Sequence, residues 1–517
     1  MTTRPRTTMT ARSFALSAKA YRVIRLWFGF FIIASLSIMS CSYSIVPTTT
    51  HLSRTYHFQA AQPKIFLPLV VDSSTSTPPA PTTPPTPTIL PAPTTTPIPA
   101  PTTTYYVDCI DGDDENSGLA KNAAWQSLTK ANQASLAPGE HLLLKRGCTW
   151  TGPLKLPWKG TKDKPIVIDA YGDGFAPIIE NAQYNVDIIG SYLIIQNLFT
   201  RARPASHDPG CENQAKGWAI GYRFEPGSAY NILRDSGATG HTHAVKVTKK
   251  SHHNKIVNNE FSNNTLMFIL DASNPSNDAG ANGIVLEGSD NEVAYNTIFG
   301  HDACSFDFDR DGSAIEVYGG QRNNIHHNIA WNNNAFIELG QSSSADNTIA
   351  YNLVMAAIPY AMFLVTEGAE GNRGPIMRTK VHNNTVYLSD PSSIGINCDG
   401  GCTGDILTLK NNIIWSEGRI GYIDRQSDEG HNVYWKANGA PAIFFPNPGD
   451  FSPTSKIADP HFVKPSVGAG NFRLKPVSPA IDAGKIDPIH NEYATDLGET
   501  KIFQGTSVDI GAYEHQP

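Results

Sequence analysis

The sequence predicts an all-β fold in which short strands stack as the rungs of a coil, and two observations support this. One pattern recurs in GIVLEGSDNEVAYNTIF, AIEVYGGQRNNIHHNIA and FIELGQSSSADNTIAYNLV: a short strand with alternating apolar residues, a turn and a second strand. An Asn also follows the last apolar residue before each turn at a constant distance. A unit of this kind cannot bury its apolar face alone, so the repeats must stack on one another.

Six asparagines mark successive rungs. They are Asn259, Asn296, Asn328, Asn352, Asn384 and Asn412, and they follow one another after 37, 32, 24, 32 and 28 residues. A rung of about two dozen residues with loop insertions accounts for every interval. Stacked Asn side chains can hydrogen-bond along a ladder, and Asn tolerates the backbone dihedrals of turns. We therefore assign these residues to the fold and not to a functional site.

Composition and charge bound the class of protein. The chain has 517 residues, of which 40% are apolar and 17% charged, as in globular proteins, and its 37 Pro and 42 Gly indicate linkers and many turns. The net charge of -7 provides no basic field for a polyphosphate. We therefore expect no nucleic-acid partner, and we expect a monomer.

Residues 1–41 are predicted to form an export signal. Basic residues precede an apolar run from Leu26 to Met39, which is shorter than the ~20 residues of a comfortable membrane span. The run ends in Ile38-Met39-Ser40-Cys41, which is similar to a bacterial lipobox. Lipidation of Cys41, ordinary cleavage and an uncleaved anchor all stay open. The signal predicts a secreted or cell-surface protein that meets the membrane only through this segment or its lipid.

Residues 42–104 are predicted to be a disordered Pro/Thr-rich linker, because their composition cannot build a core. The coil is predicted over residues 105–440 and a closing segment over residues 441–517. At the start of the coil, Trp125 to Ala134 indicates a short amphipathic helix that would cover its open end.

Both ends of this region resemble secreted right-handed parallel β-helix proteins of the pectate-lyase-like superfamily. The matching residues are Tyr106, Asp114, Gly118, Trp125, Leu128, Pro138, Gly139 and Gly147 near the start, and Ser478, Pro479, Asp482, Gly484, Asp496, Gly498, Asp509, Gly511 and Glu514 near the end. The resemblance implies a single-stranded right-handed parallel β-helix of about ten rungs, with an N-terminal capping helix and an irregular C-terminal closing segment.

Six of the seven cysteines lie beyond the predicted signal, and export would allow them to form disulfides. Plausible pairs are Cys109 with Cys148 and Cys398 with Cys402, which leaves Cys211 with Cys304, although the sequence alone does not fix the connectivity. Free buried thiols are the alternative.

Aligning the first strand of each rung separates inward from outward residues. Apolar residues at alternate positions should point inward. The outward positions then form one column of Lys246, Val285, Glu316, Glu338 and Phe363 and a second column of Thr248, Glu287, Tyr318, Gly340 and Val365.

Glu316 and Glu338 occupy one column on adjacent rungs, which predicts Cβ atoms about 5 Å apart, close enough to raise one pKa unless a cation intervenes. Like charges held so close destabilise a sheet, so this pair is the strongest indication of a functional site. Lys246, Glu287 and Tyr318 share the same outward face and complete the candidate catalytic set. The alternative is a solvated face on which Lys246 pairs loosely with Glu287.

A candidate calcium site lies in the loop before Ala314. Asp307, Asp309 and Asp311 alternate and are followed by Gly312, as in the first half of an EF-hand loop. The twelfth position is Tyr318 instead of Glu and a strand follows, which excludes a true EF-hand but not a bound Ca²⁺. A solvated acidic loop is the alternative.

We expect an extracellular carbohydrate-active enzyme that acts on an acidic polysaccharide, in one of two versions. In a lyase, Ca²⁺ held by the three aspartates would neutralise a uronate carboxylate, Lys246 would remove the neighbouring proton and Tyr318 would protonate the leaving oxygen. In a hydrolase, Glu316 and Glu338 would divide into acid and base or nucleophile.

A non-catalytic glycan-binding or adhesive cell-surface protein is the alternative from another class. In that case Tyr318, Trp331 and Phe363 would matter more than Lys246. The histidines at turns, including His326 and His327, are expected to be solvated and rank below these residues.

Overall fold

The computed structural model describes residues 99–203, 217–274, 277–306 and 308–516. The predicted signal, most of the predicted linker, Cys41, Cys211 and Asp307 lie outside the described residues. The described part contains 41 strands, one α-helix and two short 3-10 helices. None of its helices has the length and apolar character needed to cross a membrane.

The regular elements follow one another in chain order. The first group is β1 (Thr104–Val107), a 3-10 helix (Lys121–Ala123), α1 (Leu128–Gln133), β2 (His141–Lys145), β3 (Thr149–Thr151), β4 (Leu154–Leu156), β5 (Ile166–Tyr171), β6 (Ile178–Asn181), β7 (Tyr184–Ile188), β8 (Leu193–Gln196), β9 (Phe199–Ala202), β10 (Ile220–Phe224), β11 (Ile232–Arg234) and β12 (Gly237–Thr239). The second group is β13 (His243–Val247), β14 (Lys255–Val257), β15 (Glu260–Ser262), β16 (Met267–Ile269), β17 (Ala279–Gly280), β18 (Asn282–Leu286), β19 (Glu292–Ala294), β20 (Thr297–Phe299), β21 (Ala303–Ser305), β22 (Asp309–Asp311), β23 (Ser313–Tyr318), β24 (Asn324–His326), β25 (Ile329–Trp331) and β26 (Ala335–Gly340). The third group is β27 (Thr348–Ala350), β28 (Leu353–Ala356), β29 (Met362–Glu367), β30 (Thr379–His382), β31 (Thr385–Leu388), β32 (Ile394–Asp399), β33 (Leu407–Lys410), β34 (Ile413–Ser416), β35 (Arg419–Ile423), β36 (Asp428–Gly430), β37 (Val433–Trp435), β38 (Ala442–Phe444), β39 (Lys456–Ile457), β40 (Phe462–Lys464), β41 (Asn471–Leu474) and a 3-10 helix (Pro488–Glu492).

Three long sheets run along the coil. Sheet 1 has the order β1-β2-β5-β8-β11-β14-β19-β24-β27-β30-β33-β36, sheet 2 the order β4-β7-β10-β13-β18-β23-β26-β29-β32-β35-β38, and sheet 3 the order β3-β6-β9-β12-β15-β20-β25-β28-β31-β34-β37-β39. Neighbours within each sheet are parallel and come from successive turns of one chain. The predicted single-stranded parallel β-helix is therefore confirmed. The pairs β16–β17, β21–β22 and β40–β41 form antiparallel hairpins outside the sheets.

Columns of aliphatic side chains fill the coil, because residues at the same strand position stack from rung to rung. One such column in sheet 2 is Val245, Ile284, Ile315, Ile337, Leu364 and Ile396, all fully buried and paired in register. The inward alternation predicted for β13, β18, β23 and β26 is confirmed.

The predicted asparagine ladder is present. In each step the side-chain oxygen of one Asn accepts hydrogen bonds from the backbone and side-chain N–H groups of the Asn one rung earlier, as between Asn328 and Asn296 at 3.0 Å for both. The residue before the Asn, such as His327 or Tyr351, has a positive φ near 55°, which turns the chain. A second ladder, absent from the prediction, joins Asn231, Asn254, Asn291, Asn323 and Asn347 at the other end of the sheet 1 strands.

The N-terminal helix is shorter than predicted and covers Leu128–Gln133. It begins after Ser127, whose hydroxyl accepts a hydrogen bond from the backbone N–H of Lys130 at 3.1 Å, as an N-cap does. Trp125 is buried before the helix, and its indole N–H donates to the carbonyl of Asn116 at 3.0 Å. The sequence pattern therefore placed the start of the helix too early.

Two of the predicted disulfides, Cys109–Cys148 and Cys398–Cys402, are present. Cys304 is also disulfide-bonded. Because Cys211 lies outside the described residues, its pairing with Cys304 stays a prediction.

The C-terminal segment, residues 458–516, does more than close the last rungs, because it also runs back along the outside of the coil. The Tyr493 hydroxyl donates to the Asn324 side chain at 2.6 Å, and the Gly511 backbone N–H donates to the Asn411 carbonyl at 2.8 Å. This path covers His326 and His327, which are 6% and 1% exposed. The expectation that these two histidines are solvated is therefore wrong.

Candidate active site

The outward face of sheet 2 holds the predicted carboxylate pair. Strand β23 pairs with β26 so that Glu316 faces Glu338, while their neighbours Ile315 and Val317 point into the core. Facing residues on adjacent parallel strands lie about 4.8 Å apart at the backbone. Glu338 is the next residue in the column after Glu316, and Val285 is the one before it.

Glu316 is held in a partly buried position by a residue that begins the previous rung of sheet 2. The Asn282 side-chain N–H donates to Glu316 Oε2 at 2.7 Å, and the Asn282 side-chain oxygen accepts from the Ser313 backbone N–H at 3.0 Å. Burial, followed by the negative charge of Glu338, raises the pKa of Glu316 to about 8. Lys246 and Arg373 oppose this shift without cancelling it. Burial and the neighbouring charge therefore favour the protonated form of Glu316.

Lys246 forms an ion pair on the same face, two rungs before Glu316. Its Nζ lies 2.9 Å from Glu287 Oε1, and the backbone N–H of Lys249 donates to Glu287 Oε2 at 3.3 Å. Lys246 pairs in register with Val285 on the next strand, and Val285 pairs with Glu316 on the one after it. Lys246 therefore lies about 10 Å along the coil from Glu316. The pairing of Lys246 with Glu287, predicted as the alternative for this face, is present.

Tyr318 lies on the same face as Glu316, two residues further along β23, and is 37% exposed. Its partner on the next strand is Gly340. A side chain at position 340 would approach the Tyr318 ring, because a Cβ there would lie 3.2 Å from a ring carbon. The glycine therefore leaves the ring room to lie beside the carboxylate pair.

The predicted positions of Phe363 and Val365 in the outward columns are wrong. Phe363 is fully buried and stacks on Phe336 with ring centroids 5.8 Å apart. Val365 takes the predicted place of Phe363 beside Glu338. The cause is the loop before β29, which shifts that strand by two residues relative to the aligned repeats. Trp331, one of the aromatic residues of the binding alternative, stacks on Phe299 in sheet 3 and so lies on another face of the coil.

The acidic loop predicted to bind calcium forms the hairpin β21–β22. Asp309 pairs with Ser305 and Asp311 with Ala303, so both aspartates lie on one side of the hairpin. Arg310 lies between them in sequence, and its Nε is 2.9 Å from Asp302 Oδ1. Among the described residues, no cluster of three or more His, Cys, Asp or Glu side chains could hold a metal ion. Because Asp307 is outside those residues, calcium binding by Asp307, Asp309 and Asp311 stays a prediction.

Further acidic residues continue this face beyond Glu338 and were not predicted. Glu367 and Asp399 face each other on β29 and β32. Burial, followed by the charges of Glu367 and Asp424, raises the pKa of Asp399 above its ordinary value. The alternation that identified Glu316 would also have identified Glu367 and Asp399 if the register of β29 had been aligned correctly.

Loops supply the remaining side chains of the site, and sequence reasoning missed them. Arg373 comes from the loop after β29, where its backbone N–H donates to Glu367 Oε2 at 2.6 Å. Trp218 and Phe268 form an aromatic pair beside Lys246. Asn282 alone carried a sequence signal, since it is a polar residue at the start of a repeated strand.

No family model matches the chain. A 75-residue stretch, 14% of this chain, is 44% identical to part of a lacto-N-biosidase from Bifidobacterium longum subsp. longum, and it spans only 5% of that protein. Among solved structures, pectate lyase Pel9A is similar with a TM-score of 0.50 and 15% identity over 81% of this chain and 97% of the lyase. A GH136 lacto-N-biosidase from Eubacterium ramulus has a TM-score of 0.45 and 16% identity over 66% of this chain and 64% of its own. The likeness to Pel9A confirms a right-handed parallel β-helix.

Proposed function

We propose that this protein is a carbohydrate-active enzyme that hydrolyses glycosidic bonds of a glycan lying along sheet 2. The observation that carries the proposal is the pair Glu316 and Glu338, which face each other on adjacent strands, with the pKa of Glu316 raised by burial and by Glu338. Two neighbouring carboxyl groups of which one holds its proton more tightly are suited to the division into acid and nucleophile that glycoside hydrolysis needs.

In the proposed reaction, Glu316 donates its proton to the glycosidic oxygen as the bond to the anomeric carbon breaks. Glu338 attacks that carbon and forms an ester, and a water deprotonated by Glu316 then releases the sugar and restores both groups. Asn282 occupies Oε2 of Glu316, which favours Oε1 as the oxygen that carries the proton. A carboxylate separation close to the strand spacing favours retention of configuration.

The elimination reaction expected as the other version has less support. Lys246 is engaged by Glu287 at 2.9 Å and lies two rungs from the carboxylate pair, so it is not directed at a sugar bound between Glu316 and Glu338. Tyr318 lies beside the carboxylate pair, where its exposed ring can contact a sugar. We assign Tyr318 to substrate binding, and Lys246 and Glu287 to the electrostatic surroundings of the site.

We also propose that the protein works outside the cytoplasm. The disulfides Cys109–Cys148 and Cys398–Cys402 support this, because such bonds persist in oxidising compartments. The export signal predicted over residues 1–41 points the same way.

The full-length chain should release new reducing ends from at least one member of a broad glycan panel, without the ultraviolet absorbance of an unsaturated product. Glu316→Gln and Glu338→Ala should each lower the rate by about 10³-fold or more. The exposed Glu260 lies on sheet 3, so Glu260→Gln is the matched control and should retain the wild-type rate.

Further readouts separate the mechanisms. Azide added to the Glu338→Ala variant should restore turnover and yield a glycosyl azide, which identifies Glu338 as the nucleophile. The rate should fall above about pH 8, where Glu316 loses its proton. An unsaturated product that disappears with a chelator would instead establish the calcium-dependent lyase, and no product from any glycan would refute both enzymatic versions.

A further inference from the structure

An aromatic pair lies on the coil near Lys246. Trp218, just before β10, packs on Phe268 of the hairpin β16–β17 with ring centroids 4.7 Å apart. Trp218 is 55% exposed, although tryptophan is normally among the most buried residues. An exposed indole held on a second ring is an arrangement that proteins use to bind flat or ring-shaped ligands.

Contacts of Phe268 with Lys246 and His243 place this aromatic pair beside the outward face of sheet 2. The Lys246 Nζ lies 5.5 Å from the Phe268 ring centroid, and the His243 ring lies 5.0 Å from the same ring. His243 is 3% exposed, and its Nδ1 has no hydrogen-bond partner among the described residues. Burial and the charge of Lys246 hold the pKa of His243 well below its ordinary value, so this ring is an uncharged polar group.

The charges on this face indicate whether the ligand is neutral or acidic. Besides Glu316, five carboxyl groups lie along it, namely Glu287, Glu338, Glu367, Asp399 and Asp424. The cations are Lys246, paired with Glu287, Arg373 near Glu316, and Arg425 beside Asp424 and Glu370. One rung before Lys246, Arg223 is paired with Asp187 and Glu225, so carboxyl groups exceed cations on this face. A chain of uronates would bring one negative charge per sugar into this field, which like-charge repulsion opposes.

We propose that Trp218, supported by Phe268, is a binding subsite for an uncharged pyranose ring, three rungs before the strand of Glu316. The substrate class is then a neutral glycan of several sugars, in place of the acidic polysaccharide expected from the sequence. This inference rests on the proposed function for the position of the cleaved bond. Three rungs correspond to about 14 Å along the coil, which leaves room for further sugars between the subsite and the carboxylates.

The test measures binding without turnover, in the full-length Glu316→Gln variant by isothermal titration calorimetry. The probes are hexasaccharides of xylose, glucose, mannose and N-acetylglucosamine, together with hexagalacturonate and hexamannuronate. At least one neutral probe should bind, and both uronates should bind about 10-fold more weakly or worse at low salt. That difference should shrink as salt screens the carboxylates.

Trp218→Ala in the same background should weaken binding of the neutral probe by about 10-fold, and Trp218→Tyr should recover part of it. Phe175 is 57% exposed and lies between sheet 1 and sheet 3, so Phe175→Ala is the control and should leave the affinity unchanged. In the active enzyme, Trp218→Ala should raise KM more than it lowers kcat.

Three outcomes would overturn the inference. Uronate binding as tight as neutral binding would refute the substrate class, and an unchanged affinity in Trp218→Ala would refute the subsite. A failure of every probe to bind below about 10 mM would refute both. Neutral-glycan binding that depends on Trp218 in a protein with no hydrolytic activity would instead retain the subsite and refute the proposed function alone.

Discussion

At the scale of single residues, the chain accepts an unfavourable arrangement at Glu316. Two carboxyl groups share one column of a parallel sheet, and both are partly buried. The Asn282 amide holds the carboxyl group of Glu316 without neutralising it. Thr or Asn at this position would stabilise the sheet without placing two carboxyl groups side by side, which favours the interpretation that the carboxyl group of Glu316 has a catalytic role.

Glu316→Gln should stabilise the protein at alkaline pH. Because the folded-state pKa of Glu316, about 8, lies above its unfolded value, its favourable contribution is complete below about pH 4.5 and is lost as pH rises through 8. A glutamine cannot ionise, so it avoids this loss. We expect the free energy of unfolding of the variant to exceed that of the wild type by about 1–2 kcal/mol at pH 9.

Urea denaturation of both proteins at pH 5 and pH 9 measures this difference. Other buried carboxyls with raised pKa values, such as Glu514, affect both proteins equally and cancel in the comparison. An equal difference between the two proteins at both pH values would show that Glu316 is not neutral in the fold.

The site could be predicted from the sequence only where it lies on regular strands. Glu316, Glu338 and Tyr318 follow from the two-residue period of β23 and β26, which was aligned correctly. Arg373 and Trp218 reach the site from connecting segments, whose paths depend on contacts that no periodicity encodes.

At the scale of elements, the asparagine ladders fix the rungs relative to one another. Asn328 accepts two hydrogen bonds from Asn296 and donates to the carbonyls of Val293 and His326 and to the side chain of Asn352. It is fully buried, so each of these groups would otherwise lack a partner.

Asn328→Ala should therefore lower the free energy of unfolding by about 3 kcal/mol, because it leaves several buried polar groups unsatisfied. Asn122 is exposed in the first 3-10 helix, and Asn122→Ala should change stability by less than about 0.5 kcal/mol. Guanidinium denaturation curves of the two variants make the comparison. Equal small effects would mean that the ladder contributes little to stability.

Strands were predicted more reliably than their register. The repeated Asn positions were found from sequence because the turn and the ladder constrain each copy in the same way. The position of Phe363 was missed because an insertion before β29 moves the strand by two residues, which preserves the alternation and so leaves no trace in the pattern.

At the scale of the whole molecule, the C-terminal segment joins rungs that would otherwise contact only their neighbours. Its residues Phe472, Leu497 and Ile510 pack in one apolar cluster with Leu353 and Ile413 of the coil. The path of this segment could not be read from the sequence, since its Pro-rich turns carry no repeat that would align it with particular rungs.

Leu497→Ala should destabilise the coil as a whole. Leu497 is fully buried in this cluster, so the substitution should cost about 3 kcal/mol, whereas Val477→Ala, at a site 71% exposed, should be nearly neutral. Thermal unfolding followed by circular dichroism should shift as a single transition. A coil transition unchanged by Leu497→Ala would mean that the segment melts separately and does not support the rungs.

The backward path of the C-terminal segment also has a consequence for how the protein is made. A ribosome releases the rungs in order, and each can stack on the one before it, but the residues that cover His327, Leu353 and Ile413 are made after the whole coil. The nascent coil therefore exposes an apolar flank to chaperones or to other chains until residues 458–516 have been made. Synthesis of this segment, and not formation of the first rungs, would then determine when that flank is protected from aggregation.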